Sequence, residues 1–223
     1  FKDNSVLFSN GEYRSRMLAQ SIDNTNGKII SINRKTKKYK ILALGLRNPQ
    51  GLLYDQKKQK IYVSDHGPQG GDEINVISDL NTIPNFGWPI SSYGEHYGHN
   101  KRDRSDTYKI APLKKSHKEY GFEEPLKFFT PSIGISQIEF LYNKFEKPLN
   151  NTLIVTSMGT KAEEGDLSIH LLTLKENKVI DHEVANLDER IRDIIFIKEK
   201  NKYVLFFETS ASIGVIDLNS INK

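Results

Sequence analysis

The chain contains no cysteine. Disulfides and thiolate metal sites are therefore excluded, although the compartment stays open, because exported proteins also dispense with cysteine. No apolar run approaches the roughly 18 residues that a membrane-spanning helix requires. Long capped stretches with a 3.6-residue period are missing as well. Charge of one sign is not in large excess: 32 Lys and Arg face 28 Asp and Glu, for a net charge of +4. The signs are mixed, as in "KEKNK" and "DERIRD", which describes a solvated surface and excludes a polyanion-binding stripe. No nucleic-acid partner is expected. An initiating Met and a signal peptide are also missing, and "FKDNSVLFSNGEY" reads as if it begins inside a domain. The expectation is a fragment or a processed chain.

What is present is strand. "SVLF", "KIISIN", "KIYVSD", "EINVIS", "QIEFLY", "NTLIVTS", "SIHLLTL", "DIIFI", "KYVLFFE" and "IGVIDL" are short runs rich in Ile, Val, Phe and Tyr, bounded by Gly, Asn, Asp or Lys. "DRSDTYKIAPLKKSHKEY" has room for a helical turn, which Pro112 interrupts. The order strand, Lys-rich turn, strand, loop, strand recurs from "NPQGLLYD", from "GISQIEFLY" and from "RIRDIIFI", with an incomplete earlier unit around "SVLF" and "KIISIN". Such meanders cannot bury both faces alone. Stacked radially they form β-propeller blades, and a β-sandwich is the alternative. We read an all-β chain, a single propeller domain over 1–223 with about four blades and hence an incomplete ring. A long insertion loop is expected over 88–129.

Four stretches carry candidate chemistry. In "GLRNPQGLLYD", Arg47 and Asn48 precede a turn-forming Pro49. Either Arg47 pairs with a surface acid and Asn48 caps the turn, or both enter a cleft, where the planar guanidinium meets carboxylate or quinone oxygens. In "SDHGPQGGDE", Gly67 and Pro68 place carbonyls in a sharp bend with Asp65, Asp72 and Glu73 nearby. That suits a hard cation such as Ca²⁺ or simply a Gly-rich hairpin. His66 reads as a structural neighbour or as a general base. "NFGWPISSYGEHYG" holds the only Trp, Trp88, as a core aromatic or a wall of a sugar-sized cleft. His96 and His99 are three apart, but nothing around them supports zinc. In "DERIRD", Arg190 and Arg192 alternate with Ile191 and share one strand face, flanked by Glu189 and Asp193. The pair is a solvated strand entrance or an anion site.

Taken in order, "GLRNPQGL", "SDHGPQGGDEIN", "NFGWP" and "ERIRD" resemble the soluble sugar dehydrogenases that use pyrroloquinoline quinone (PQQ), also called glucose/sorbosone or aldose sugar dehydrogenases. The resemblance runs from about Asn10 to Leu218 and corresponds to the later two-thirds of that family's domain. It implies a six-bladed propeller with PQQ and Ca²⁺ in a cleft. It also implies oxidation of an aldose C1 hydroxyl to the lactone, with electrons leaving to an external acceptor. Carried over by position, it implies that Arg47 and Asn48 contact the reacting quinone. Gly67 and Pro68 resemble the carbonyl ligands of Ca²⁺, and Asp72 the acid beside them. Ser132 of "TPSIGIS", Lys161 of "SMGTK", Arg190 and Arg192 resemble cofactor contacts. A periplasmic or secreted location follows from the resemblance only. The preferred sugar and the oligomeric state are not legible.

Departures from the family pattern keep other readings open. The family's His, which takes the hydroxyl proton, lies upstream of anything in this sequence. "NGEYR" puts Glu12 and Tyr13 where a Gly-Asp-Gln pattern is usual, and "TPSIGIS" departs from the usual "APS" form. On this reading the stretch alone is inactive and the parent protein is the enzyme. A propeller binding module without redox chemistry is one alternative. A calcium-dependent propeller lactonase or hydrolase is another.

Overall fold

The structure is a computed structural model, and it describes residues 1–97, 105–143, 145, 147–159 and 167–220. The chain forms two compact units, Phe1–Ser132 and Ile133–Lys223, where the sequence reads as one domain. Both are built from antiparallel meanders, as an all-β reading expects.

In the first unit, β1 (Ser5–Asn10), β2 (Lys28–Asn33) and β3 (Tyr39–Ala43) make a three-stranded sheet. A four-stranded sheet follows in chain order: β4 (Pro49–Asp55), β5 (Lys60–Asp65), β6 (Asp72–Ile77) and β7 (Lys127–Phe129). β5 is apolar at both parities because both its faces are covered, and all its residues after Lys60 are buried. The core joins Ile29, Leu42, Leu46, Ile61, Val63, Ile77 and Phe86. Lys28 is buried with them. Its ammonium donates to the carbonyls of Leu18, Ala19 and Asn26, which holds the 3₁₀ turn Arg16–Gln20 against β2. That turn is tied in addition to the Trp88 carbonyl by Gln20 Nε2, at 2.6 Å.

The second unit holds β8 (Ile135–Tyr142), β9 (Pro148–Ser157), β10 (Ser168–Lys175) and β11 (Lys178–Asn186) in one sheet. β12 (Ile191–Ile197), β13 (Lys202–Phe207) and β14 (Ser212–Asp217) form another. Tyr203 locks them together: its buried hydroxyl donates to Phe140 O at 2.7 Å and accepts from Tyr142 N at 2.6 Å. Burial, followed by the nearby Glu139 charge, raises the Tyr203 phenol so that it stays a donor.

Each sheet is the kind of meander a propeller blade requires. Three strands lack a clear signal in the sequence. β3 opens on exposed Tyr39 and Lys40, and β11 is an almost wholly exposed edge. β7 is only three residues long and comes from the end of the 88–129 segment, which also contains the helix α1 (Ser105–Ile110), stopping just before Pro112.

Several buried acids set the pH dependence of stability. Burial, opposed by backbone N–H donors, raises the Asp65 carboxyl to about 7. Burial also raises Glu12 and Glu139. His117 is raised too: burial opposes its charge, and the hydrogen bond and charge of Glu73, with Glu124 and the Phe86 backbone, together outweigh it. A raised folded-state pKa means that the folded chain holds more protons than the unfolded one, so stability is lost as pH rises through the window. For the acids the window starts near their unfolded values, and for His117 it starts near its own. The apparent Tm should therefore fall between about pH 5 and pH 8. A melting temperature that rises over that range would contradict these assignments.

Candidate active site

The antiparallel register sets Pro49 of β4 opposite Asp65 of β5. This places the Asp65 carboxylate under the turn that precedes β4. One oxygen accepts from Arg47 N at 2.8 Å and the other from Asn48 N at 2.6 Å. Each backbone donor of the turn is thus matched to one carboxylate oxygen. The Arg47 guanidinium donates to His66 O at 2.7 Å and lies over Trp88 and Tyr97, 5.5 and 5.7 Å from their ring centroids. Arg47 forms no salt bridge among the described residues.

The loop Gly67–Gly71 links β5 to β6 and closes on Asp72. Asp72 is fully buried. Its Oδ1 accepts from Gly67 N at 2.9 Å and from Ser132 Oγ at 3.0 Å, and His66 Nδ1 is 3.1 Å away. Ser132 Oγ also lies 3.3 Å from Pro68 O. The loop thus wraps around the Asp72 carboxylate, and the Gly67 carbonyl accepts no hydrogen bond among the described residues. Two glycines are required here. A Cβ on Gly67 would sit 2.1 Å from Gly71 O, and one on Gly71, at φ +71, would sit 2.2 Å from Gly94 N.

Arg47 and Pro68 face one open cleft of about 990 Å³, together with Glu12, Arg14, Arg16, Trp88, His96, Tyr97 and residues of α1. Neither Arg14 nor Arg16 forms a salt bridge among the described residues, so three arginines reach one cleft without an acidic partner within 4 Å. Two buried polar atoms beside them have no hydrogen-bond partner among the described residues, Trp88 Nε1 and Glu12 Oε2. His96 is held by Ala111 O at 2.8 Å and Arg16 at 3.3 Å. The cleft suits a planar, multiply anionic ligand: cations for its acid groups, an aromatic wall and unused buried polar atoms.

Six of the expected site residues, Arg47, Asn48, Gly67, Pro68, Asp72 and Ser132, belong to the first unit and are brought together there. Asn48 is exposed at the turn, and Asp72 points inward as the brace of its loop. On the second unit, Arg190 and Arg192 both pair with the Glu208 carboxylate. Arg190 Nε donates to Glu208 Oε2 at 3.1 Å and Arg192 to Glu208 Oε1 at 3.0 Å. Arg190 also donates to the carbonyls of Met158 and Gly159. The hydrogen bond from Arg192, and then the nearby arginine charges, hold Glu208 below the usual carboxylate range. Lys161 and His99 lie outside the described residues. Sequence reasoning missed Arg14 and Arg16, and it placed Asp65 beside the cation bend instead of under the Arg47 turn. The signal for Asp65 was its place at a strand end opposite Pro49, and that for the arginines was their cluster after "NGE".

The sequence and the fold have parallels among known proteins. Residues 1–215 match the family model described as glucose/sorbosone dehydrogenase. Aldose sugar dehydrogenase YliI of Escherichia coli is 26% identical over 219 residues, covering 91% of this chain and 54% of that protein. An uncharacterized protein of Synechocystis sp. is 30% identical over 168 residues, covering 74% of this chain and 36% of that one. The crystal structure of the soluble aldose sugar dehydrogenase from E. coli in the apo-form superposes with a TM-score of 0.73 at 23% identity, over 96% of this chain and 61% of that one. The chain thus spans between about a third and about a half of the length of these two curated relatives. By its match over residues 1–215, the chain belongs to the glucose/sorbosone dehydrogenase family.

Proposed function

We propose that the full-length protein oxidises the C1 hydroxyl of an aldose to the lactone, with PQQ and Ca²⁺ held at the Arg47 cleft. The observation that carries this reading is one aromatic-walled cleft where three arginines, Arg14, Arg16 and Arg47, meet with no acidic partner within 4 Å among the described residues, beside Pro68 of the Gly67–Gly71 loop. PQQ is a planar ortho-quinone with three carboxyl groups, and that charge matches the cleft. The family and the aldose sugar dehydrogenase of E. coli supply the substrate class.

The carbonyls of Gly67 and Pro68 would hold Ca²⁺, as hard oxygen donors with few competing donors of their own. Asp72 fixes the bend that aims them. When bound, the quinone supplies the hydride acceptor and the cation polarises it. Arg47 orients the reacting end: the carbonyl of His66 and the stacked rings hold its guanidinium, and Asp65 fixes its backbone. Asn48 sits at the same turn as a second polar contact. Ser132 supports the loop, and Arg190 and Arg192, which pair with Glu208, are cofactor contacts by resemblance. Lys161 remains a cofactor contact by resemblance. Export to the periplasm belongs to the same reading.

The test is dye-linked oxidation of aldoses by the full-length protein reconstituted with PQQ and calcium. Activity should appear only with both and vanish on chelation. Turnover that persists without PQQ, or no turnover with it, would sink the proposal.

A further inference from the structure

We propose that the end of the first unit opposite the cleft is a docking surface for an anionic membrane, a bilayer that presents phosphate headgroups. Strand direction defines that end. β4 starts after the Arg47 turn and β5 finishes before the Gly67–Gly71 loop, so the turn between them, residues 56–59, lies at the other end, roughly 20 Å away. β2 starts at Lys28, which is bonded to the cleft-wall turn Arg16–Gln20, so the turn from β2 to β3, residues 34–38, lies at the far end as well. The two sheets are tied together there. Arg34 N donates to Asn4 O at 3.0 Å, the Phe1 ring packs edge-on against Tyr54 at 4.8 Å, and Lys40 donates to Leu80 O at 3.3 Å, just after β6.

Residues 34–40 hold Arg34, Lys35, Lys37, Lys38 and Lys40 and no acid. Residues 55–60 add Lys57, Lys58 and Lys60 against Asp55. The two turns thus carry an excess of seven positive charges, more than the +4 of the whole chain, so the other residues sum to a negative charge. The mixed signs describe the average surface, and the fold gathers the surplus at one end. They therefore do not exclude a polyanion-binding face. All five bases of 34–40 are exposed, and none forms a salt bridge among the described residues. Asp55 is buried and accepts from Lys57 N and Lys58 N of its own turn, while its ion pair with Lys58 is long, at 3.9 Å. Asp79, in the loop after β6, accepts from Asn81 N in the same way. Like charges gathered this closely repel one another, and an opposing charged surface relieves that repulsion.

Seven of the eight bases are Lys, flexible point charges at the tips of two hairpins. Nucleic acid is read by a helix or ribbon in a groove and by Arg forks, and protein interfaces are depleted of Lys. A fluid sheet of phosphates asks only for charge within a Debye length. Tyr39, 54% exposed between Lys38 and Lys40, offers an amphipathic ring of the kind that sits at headgroup level. Docked by this end, the unit holds its cleft away from the bilayer and open to solution.

The test needs neither cofactor nor turnover. It is cosedimentation of the full-length protein with vesicles of phosphatidylcholine, alone or mixed with phosphatidylglycerol. Wild type should bind the mixed vesicles and not the neutral ones. It should leave them when salt is raised from about 0.1 M to about 1 M, where the screening length falls from roughly 10 to roughly 3 Å. Each Lys near the surface contributes about 5-fold, so Lys35→Gln/Lys38→Gln/Lys57→Gln should bind about 10²-fold more weakly. Its melting temperature should match that of wild type. Lys109→Gln/Lys114→Gln/Lys118→Gln removes the same charge elsewhere in the unit and should bind within a few-fold of wild type. No binding to the mixed vesicles, equal binding to the neutral ones, or an unaffected Lys35/Lys38/Lys57 variant overturns the proposal. Binding to heparin without binding to vesicles overturns it too and assigns the surface to a polyanion in solution.

Discussion

Replacing Arg47 by alanine is expected to lower kcat of the reconstituted protein by about 10²- to 10³-fold, the range found when one preorganised donor to a developing anion is removed. Among the described residues the guanidinium has no acidic partner within 4 Å, so no ion pair there holds it. Its position is fixed from three sides, by His66 O, the Trp88 face and the Tyr97 face. That preorganisation is what an electrostatic contact needs to act on a reacting group instead of reorganising around it. Arg47→Lys keeps the charge but loses the planar fork, so it should recover only part of the rate. The protein should stay folded, since the side chain is only half-buried and contributes one hydrogen bond to the loop. Steady-state kinetics alongside a thermal melt separate the two effects. An Arg47→Ala protein with an unchanged rate removes Arg47 from the chemistry.

Asp65→Ala should affect stability and site together. The carboxylate is buried and matches the N–H groups of both Arg47 and Asn48. Alanine leaves those donors without their acceptor, at about 1–3 kcal/mol for each one that stays dry. A loss of about 2–4 kcal/mol is expected in denaturant unfolding. The surviving folded protein should bind PQQ more weakly, because the turn that aims Arg47 is free to move. Asp65→Asn is the informative partner. It keeps the size but puts an amide NH₂ where one oxygen accepted a backbone N–H, so it should fall between wild type and alanine. It should also remove the share of the pH dependence that the Asp65 carboxyl supplies, because burial raises that carboxyl to about 7. An Asp65→Ala protein as stable as wild type would mean that water serves the turn equally well.

These two residues show what was legible in the sequence. Arg47 was read from a local pattern, "LRNPQG", because a Pro-induced turn before an apolar run is a short-range signal. Asp65 belongs to an equally local pattern, but its role depends on the β4–β5 register, which joins residues 18 apart. The loop glycines were legible as a bend. The inward turn of Asp72 was not, because it follows from packing against Ser132, sixty residues later. Glu12 stood out only as a departure from a family pattern, since its burial depends on the cleft wall formed by the 3₁₀ turn and Trp88. Strand signals held wherever β-branched and aromatic residues were dense, as in β5 and β8. They failed for β3 and β11, whose edge positions carry Lys, Asp and Glu that a solvated strand tolerates.

Binding of PQQ is the point on which the account stands, and absorbance titration of the full-length protein measures it without relying on turnover. In calcium buffer the spectrum of added PQQ should change saturably, with one cofactor bound per chain. Chelation should abolish the change, and restored calcium should bring it back. A titration that is flat with calcium present, or one that is the same after chelation, would contradict a calcium-assisted quinone site at the Arg47 cleft.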